Sequence, residues 1–206
     1  MKHKRTRALL AGLLAALTIS AALAASAGAN PSWKFDGTKL VGTEQILGGA
    51  EESAMTVPGM TTTCENFLYE IGISNGGSGG EGELEEVPLF NCGTDGVCEV
   101  ESISAEGLPW STSLTSVSGA PYILINGVNV GIVYSGEECV IEGFLVEVTG
   151  SAGGSINNTT ESATFNASTL KATGTTLEAF GEPIEWIGVF PTEAFEWHRE
   201  DAISAS

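Results

Sequence analysis

Tyr122-Ile123-Leu124-Ile125-Asn126-Gly127-Val128-Asn129-Val130-Gly131-Ile132-Val133-Tyr134 is the stretch that decides the fold class. Two runs rich in β-branched residues flank Asn126-Gly127. That dipeptide suits a two-residue hairpin, because both central residues of the favoured turn need positive φ. The expected element is a β-hairpin with strands at residues 122–125 and 128–134. A second hairpin is expected around Asn75-Gly76-Gly77-Ser78-Gly79-Gly80. Phe67, Tyr69, Ile71 and Ile73 alternate before it, and mirror register sets Val87 and Leu89 opposite Tyr69 and Phe67. Residues 139–149 are apolar at both parities (Ile141 and Leu145; Val140, Phe144, Val146 and Val148), as in a strand covered on two faces. Shorter strands are expected at residues 163–168, 175–180 and 183–190. Turn clusters recur throughout and helical periodicity is nearly absent. About ten strands in one antiparallel β-sandwich or β-barrel account for this pattern, and no internal repeat points to a solenoid.

The chain begins Met1-Lys2-His3-Lys4-Arg5-Thr6-Arg7, followed by an apolar run over residues 8–24 that exits through small residues. This is the form of a secretory signal peptide, expected over residues 1–29, with cleavage after Ala29. A β domain is expected over residues 30–191 and a polar, acidic tail over residues 192–206. Residues 75–82 and 150–160 are expected to be mobile loops. The precursor carries 8 basic and 26 acidic residues, a formal charge of −18. Four of the basic residues and none of the acidic ones lie in residues 1–29. The remainder therefore sets four positive charges (Lys34, Lys39, Lys171, Arg199) against 26 negative ones, a formal −22. Such a surface repels phosphate backbones and anionic lipid, which argues against nucleic-acid and electrostatic membrane partners. No second apolar stretch is long enough to span a bilayer, so no membrane insertion is expected once the signal is removed.

Four cysteines, Cys64, Cys92, Cys98 and Cys139, make an even number in a chain bound for an oxidising compartment, and two disulfides are expected. Reflection through the loop centre near Ser78 sets Cys64 opposite Cys92, leaving Cys98 for Cys139. The competing scheme closes Cys92 onto Cys98 around Gly93-Thr94-Asp95-Gly96 and leaves Cys64 for Cys139. The wide gaps lack the paired short spacings of zinc modules.

Histidine scarcity excludes much familiar chemistry. After residue 29 only His198 remains, in the expected tail, so nucleophile–histidine catalysis and histidine-based metal sites lack their parts. The glycine-rich stretch at residues 76–82 has no Lys-Ser/Thr and helix behind it, so it is no phosphate loop. A glycosidase needs only two carboxylates, and Glu83, Glu85, Glu99, Glu101, Glu142, Glu147 and Glu185 are candidates, each equally at home on a solvated sheet face. Only Asp36, Asp95 and Asp201 are available as calcium-favouring aspartates, and no EF-hand loop is present. No metal or cofactor is expected. Trp110 and Trp186 fall in strand patterns that suit a core, whereas Trp33 and Trp197, near the ends, are the candidates for stacking on a ligand. Asn157, Asn158 and Asn166 begin N-x-Ser/Thr sequons.

Trp33-Lys34-Phe35-Asp36-Gly37-Thr38-Lys39-Leu40 and Gly107-Leu108-Pro109-Trp110-Ser111-Thr112-Ser113-Leu114 resemble segments of uncharacterised exported proteins of high-GC actinobacteria, and the resemblance extends to the cysteine order. It implies a secreted, disulfide-bonded β-protein and carries no activity or site residue. The expectation is an exported, non-catalytic β domain that binds an extracellular partner, a glycan first and an envelope protein second.

Overall fold

The computed structural model describes residues 31–191 apart from 36, 58 and 161, together with residues 203–205. The expected signal segment and residues 192–202, with Trp197 and His198, lie outside the described residues.

The fold is all-β, with antiparallel ladders throughout its two sheets. In the larger sheet β3 (Thr43–Val57) pairs with β4 (Met60–Gly76), and β4 pairs with β5 (Gly79–Glu86) and, further from its turn, with β6 (Leu89–Thr94). β5 pairs with β8 (Trp110–Val117) and β8 with β9 (Ala120–Ser135). β7 (Glu99–Ala105) takes the same edge of β9 beyond β8. The other edge of β9 pairs with β10 (Leu145–Asn157). β10 then meets β11 (Ser162–Phe165) and β12 (Leu177–Ala179), which both pair with β13 (Glu182–Pro191). β13 returns to β3.

The ladders thus close twice. A small circuit of four strands runs β10-β11-β13-β12, and a larger one of eight runs β9-β10-β12-β13-β3-β4-β5-β8. We call the end carrying the β4–β5 and β8–β9 turns the upper end. The smaller sheet, β14 (Ile203–Ala205), β1 (Trp33–Phe35) and β2 (Thr38–Lys39), lies there.

The deciding stretch is one strand, which corrects the expected hairpin. Residues 120–126 pair with β8, residues 130–135 with β7, and both halves with β10, so neither half is free to fold onto the other. Asn126-Gly127 is a β-bulge. Asn126 opposes Ser151 and Val128 opposes Gly150, leaving Gly127, at φ 77°, as the extra residue. The bulge switches the buried parity from Ile123 and Ile125 to Val128, Val130, Ile132 and Tyr134, so all six apolar side chains remain inside. Gly127→Ala forces a Cβ into left-handed backbone and is expected to cost about 1–2 kcal/mol, read as a lower melting temperature. The turn that does make a hairpin is Ser118-Gly119, both at positive φ, with Val117 paired to Ala120.

The second hairpin forms as expected. Gly76 pairs with Gly79 across Gly77-Ser78, and Phe67 opposes Leu89. A register shift between Glu70 and Ile71 moves the axis of reflection by half a residue, and two further shifts around Glu65 cancel, which leaves Cys64 opposite Cys92. The expected mobile loop at residues 75–82 is therefore mostly ladder. Residues 139–149 are not one strand. Residues 139–144 form turns, with Val140 and Phe144 exposed, and the strand starts at Leu145 and runs on to Asn157 through the second expected loop. Residues 163–168 are strand only to Phe165. Asn166 then caps α1 (Ala167–Thr173), its side chain accepting from the Ser168 and Thr169 amides, while Thr169 reciprocates in a capping box. Ile203–Ala205, within the expected tail, pair with β1.

Both favoured disulfides are present, Cys64–Cys92 and Cys98–Cys139. Bonds of this kind persist in oxidising compartments. Their placement has a pattern. Among the described residues no ladder joins β6 to β7, so each has a strand partner on one side only. One disulfide ties β6 to β4, and the other ties the start of β7 to the turn that follows β9.

Candidate functional site

The lower half of the interior is closely packed around a void of about 10 Å³ beside Trp110, Val128 and Val130. Trp110, 1 % exposed, donates its indole N–H to the Glu106 carbonyl at 2.8 Å. The hydroxyls of Tyr134 and Thr62 share a hydrogen bond of 2.7 Å between β9 and β4, which are not neighbours in the sheet, so it crosses the interior. Burial raises the Tyr134 pKa and the Thr62 hydrogen bond partly offsets the rise, so the phenol stays neutral at physiological pH.

The upper half holds an apolar cavity of about 70 Å³. Its origin is a set of inward glycines. Tyr69 pairs with Gly48 and Phe165 with Gly154 across ladders, and Phe190 lies two residues from Gly188 on β13. A Cβ on Gly48 would overlap the Tyr69 ring, one on Gly154 would stand 2.7 Å from Phe165, and one on Gly188 2.7 Å from Phe190. The three rings therefore lie against the wall over bare backbone, leaving the middle open.

Trp186 stacks on Phe165 at 5.2 Å between centroids and meets Phe190 edge-on at 5.6 Å. Tyr69 meets the edge of Phe190 at 6.4 Å. Ile71, Ile73, Leu84, Ile123 and Ile125 complete much of the wall. Burial raises the Tyr69 pKa far above its usual value, so this group is also a neutral phenol. Among the described residues, no Asp, Glu, Lys, Arg or His lines the cavity.

The smaller sheet is its roof. Trp33 on β1 is 4 % exposed and lies on the cavity wall above Gly80, where a Cβ would meet its indole at 3.0 Å. The indole N–H donates to the Glu81 carbonyl at 3.2 Å. Asn75, on the β4–β5 hairpin, accepts from the Trp33 amide at 2.7 Å and donates to the carbonyls of Trp33 and Leu40 at 2.9 and 3.0 Å. Asn158, beyond β10, exchanges two hydrogen bonds with the Ala205 backbone at 2.7 and 3.0 Å. β4 and β10 stand four strands apart whichever way round the circuit is counted. The roof is thus pinned at opposite sides of the mouth by two asparagine side chains.

Of the two tryptophans read as stacking candidates, Trp33 is buried and offers no open face to solvent, and Trp197 lies outside the described residues. Trp110 and Trp186 are core, as their strand patterns suggest. The seven candidate glutamates are all exposed, and among the described residues no three of His, Cys, Asp and Glu converge on a point. Asp95 accepts from the Thr61 amide at 2.7 Å. All three sequon asparagines have side chains engaged in turn, clamp or cap bonds. Sequence reasoning missed the cavity. Its one local trace is Gly188-Val189-Phe190, a glycine and a ring on the same face of one strand.

No protein-family model matches the chain, and no curated protein or solved structure matches it.

Proposed function

We propose that the chain is an exported binding protein that encloses a small apolar molecule in the upper half of its closed sheet, beneath the Trp33 roof. The observation that carries this reading is a roofed, aromatic-walled cavity above a packed lower half. The basic start and apolar run of residues 1–24 and the two disulfides support export. A glycan is disfavoured by this geometry. The described tryptophans present no open face, and a sugar in the cavity would set many hydroxyls against a mostly apolar wall.

Trp33 and Trp186 both line the cavity, so occupancy changes intrinsic fluorescence. The test is titration with propane and with isobutane, small enough for a cavity of about 70 Å³, followed by fluorescence and by thermal melting. A ligand at ten times its dissociation constant adds about 1.4 kcal/mol, or roughly 3–6 °C for a chain of this size. A saturable change in both signals supports the reading; flat responses to both hydrocarbons sink it.

A further inference from the structure

We infer that the lower end of the fold docks a cationic polypeptide segment, which sets an apolar side chain on Phe144 and Leu145 and a lysine or arginine beside Glu106 and Glu147. The surface is on the outside of the sheet, at the end away from the roof, and it does not depend on the proposed cavity ligand.

Leu145 and Val133 are ladder partners on the outer face of β10 and β9, since the next pair, Val146 and Ile132, is the buried one. Phe144 precedes Leu145 on a turn fixed by three backbone hydrogen bonds. The Glu142 amide donates to the Cys139 carbonyl at 3.1 Å, Gly143 to Tyr134 at 2.8 Å and Phe144 to Ile141 at 3.1 Å. On this fixed turn Phe144 is 66 % exposed, and Leu145 beside it is 53 % exposed. Val97 and Val140, also exposed, flank the Cys98–Cys139 bond at the same end. Apolar side chains gathered at one end and rimmed by charge mark a contact surface.

The rim is acidic. Glu106 and Leu145 both lean over Gly131, where a Cβ would stand 3.0 Å from a Glu106 carboxylate oxygen and 3.2 Å from a Leu145 methyl. Glu147 is the ladder partner of Gly131, and Glu137, Glu138 and Glu142 are exposed on the neighbouring turns. No Lys, Arg or His occurs between Lys39 and Lys171. Lys34 and Lys39 belong to the roof and Lys171 to α1. Charge therefore chooses the occupant. A second copy would set the same carboxylates against each other, and anionic lipid would be repelled. A lysine or arginine lays its aliphatic stem on apolar surface and its cation against a carboxylate, so a basic segment satisfies both halves of the surface.

The probe is a fluorescently labelled octapeptide of alternating lysine and leucine, titrated with the protein and followed by polarisation. The wild type is expected to bind it saturably. Phe144→Ser/Leu145→Ser is expected to weaken binding about tenfold, whereas Val41→Ser/Leu47→Ser, which alters exposed apolar residues near the upper end, leaves it unchanged. Glu106→Gln/Glu147→Gln is expected to weaken it a few fold at about 0.05 M salt and less at about 0.3 M. In the wild-type complex, amide exchange of residues 139–144 is expected to slow, a readout that needs no variant. Equal loss in both serine pairs, or protection confined to other residues, would show that net charge alone attracts the peptide and would overturn the inference. Absence of binding by the wild type overturns it as well. So would a wild-type dimer that Phe144→Ser/Leu145→Ser dissolves, or binding to phosphatidylglycerol vesicles that the same variant abolishes, since either assigns the surface to another occupant.

Discussion

Cys98→Ser/Cys139→Ser lowers stability by about 4 kcal/mol, moving the urea midpoint by about 2 M. The magnitude follows from the separation of 41 residues that the bond closes. Cys64→Ser/Cys92→Ser, with a separation of 28, is expected to cost slightly less, about 3.6 kcal/mol. Where the bonds act matters as much as their size. Among the described residues, β6 and β7 are the strands of the larger sheet whose second edges meet no ladder, and such edges are where a sheet opens and where foreign strands add. Loss of the Cys98–Cys139 bond is therefore expected to speed amide exchange in residues 99–105 well before residues 145–157. Equal acceleration in both would show that β7 has no separate weakness.

Asn75→Ala releases the roof. It removes three hydrogen bonds and leaves the Trp33 amide and carbonyl without that partner in a half-buried setting, a loss of about 2–3 kcal/mol. The loss falls on local opening, so amide exchange in β1 is expected to rise roughly 30–150-fold while central β9 and β10 keep their protection. Trp33 then becomes open to a soluble quencher, which isolates its signal from the deeply packed Trp110. Asn75→Asp keeps the acceptor for the Trp33 amide but sets a carboxylate oxygen against the Trp33 and Leu40 carbonyls, and is expected to open the roof at least as much as Asn75→Ala. If the whole sheet lost protection in parallel, the roof would be part of the global fold and no gate.

The all-β class and the cysteine pairing were legible in the sequence for one reason. Both depend on alternation and on reflection through a local turn, and the β4–β5 and β4–β6 ladders follow both to within half a residue. The hairpin at Asn126-Gly127 was misread because a positive-φ glycine serves a bulge as well as a turn. What separates the two is the identity of the neighbouring strands, which lies elsewhere in the chain. Ser118-Gly119 carried the same turn chemistry with a less typical first residue. The α1 cap escaped notice because Thr169 stands where glutamate or glutamine usually completes a capping box. The cavity was illegible for a longer-range reason. Gly48 with Tyr69 and Gly154 with Phe165 become pairs only once ladders bring them together.

The roof joins Trp33 to Ala205, the pairing of greatest sequence separation among the described residues. Contacts this distant bear the largest entropy of closure and form late. The eight-strand circuit uses only strands between residues 43 and 191, so it can close first. During that interval Trp33 is held over the lumen from the Asn75 side alone, and the Asn158 tie to Ala205 is still missing. Under the binding function proposed above, a guest would leave only when the asparagine pins let go. Its dwell time would then be set by the stability of the lid.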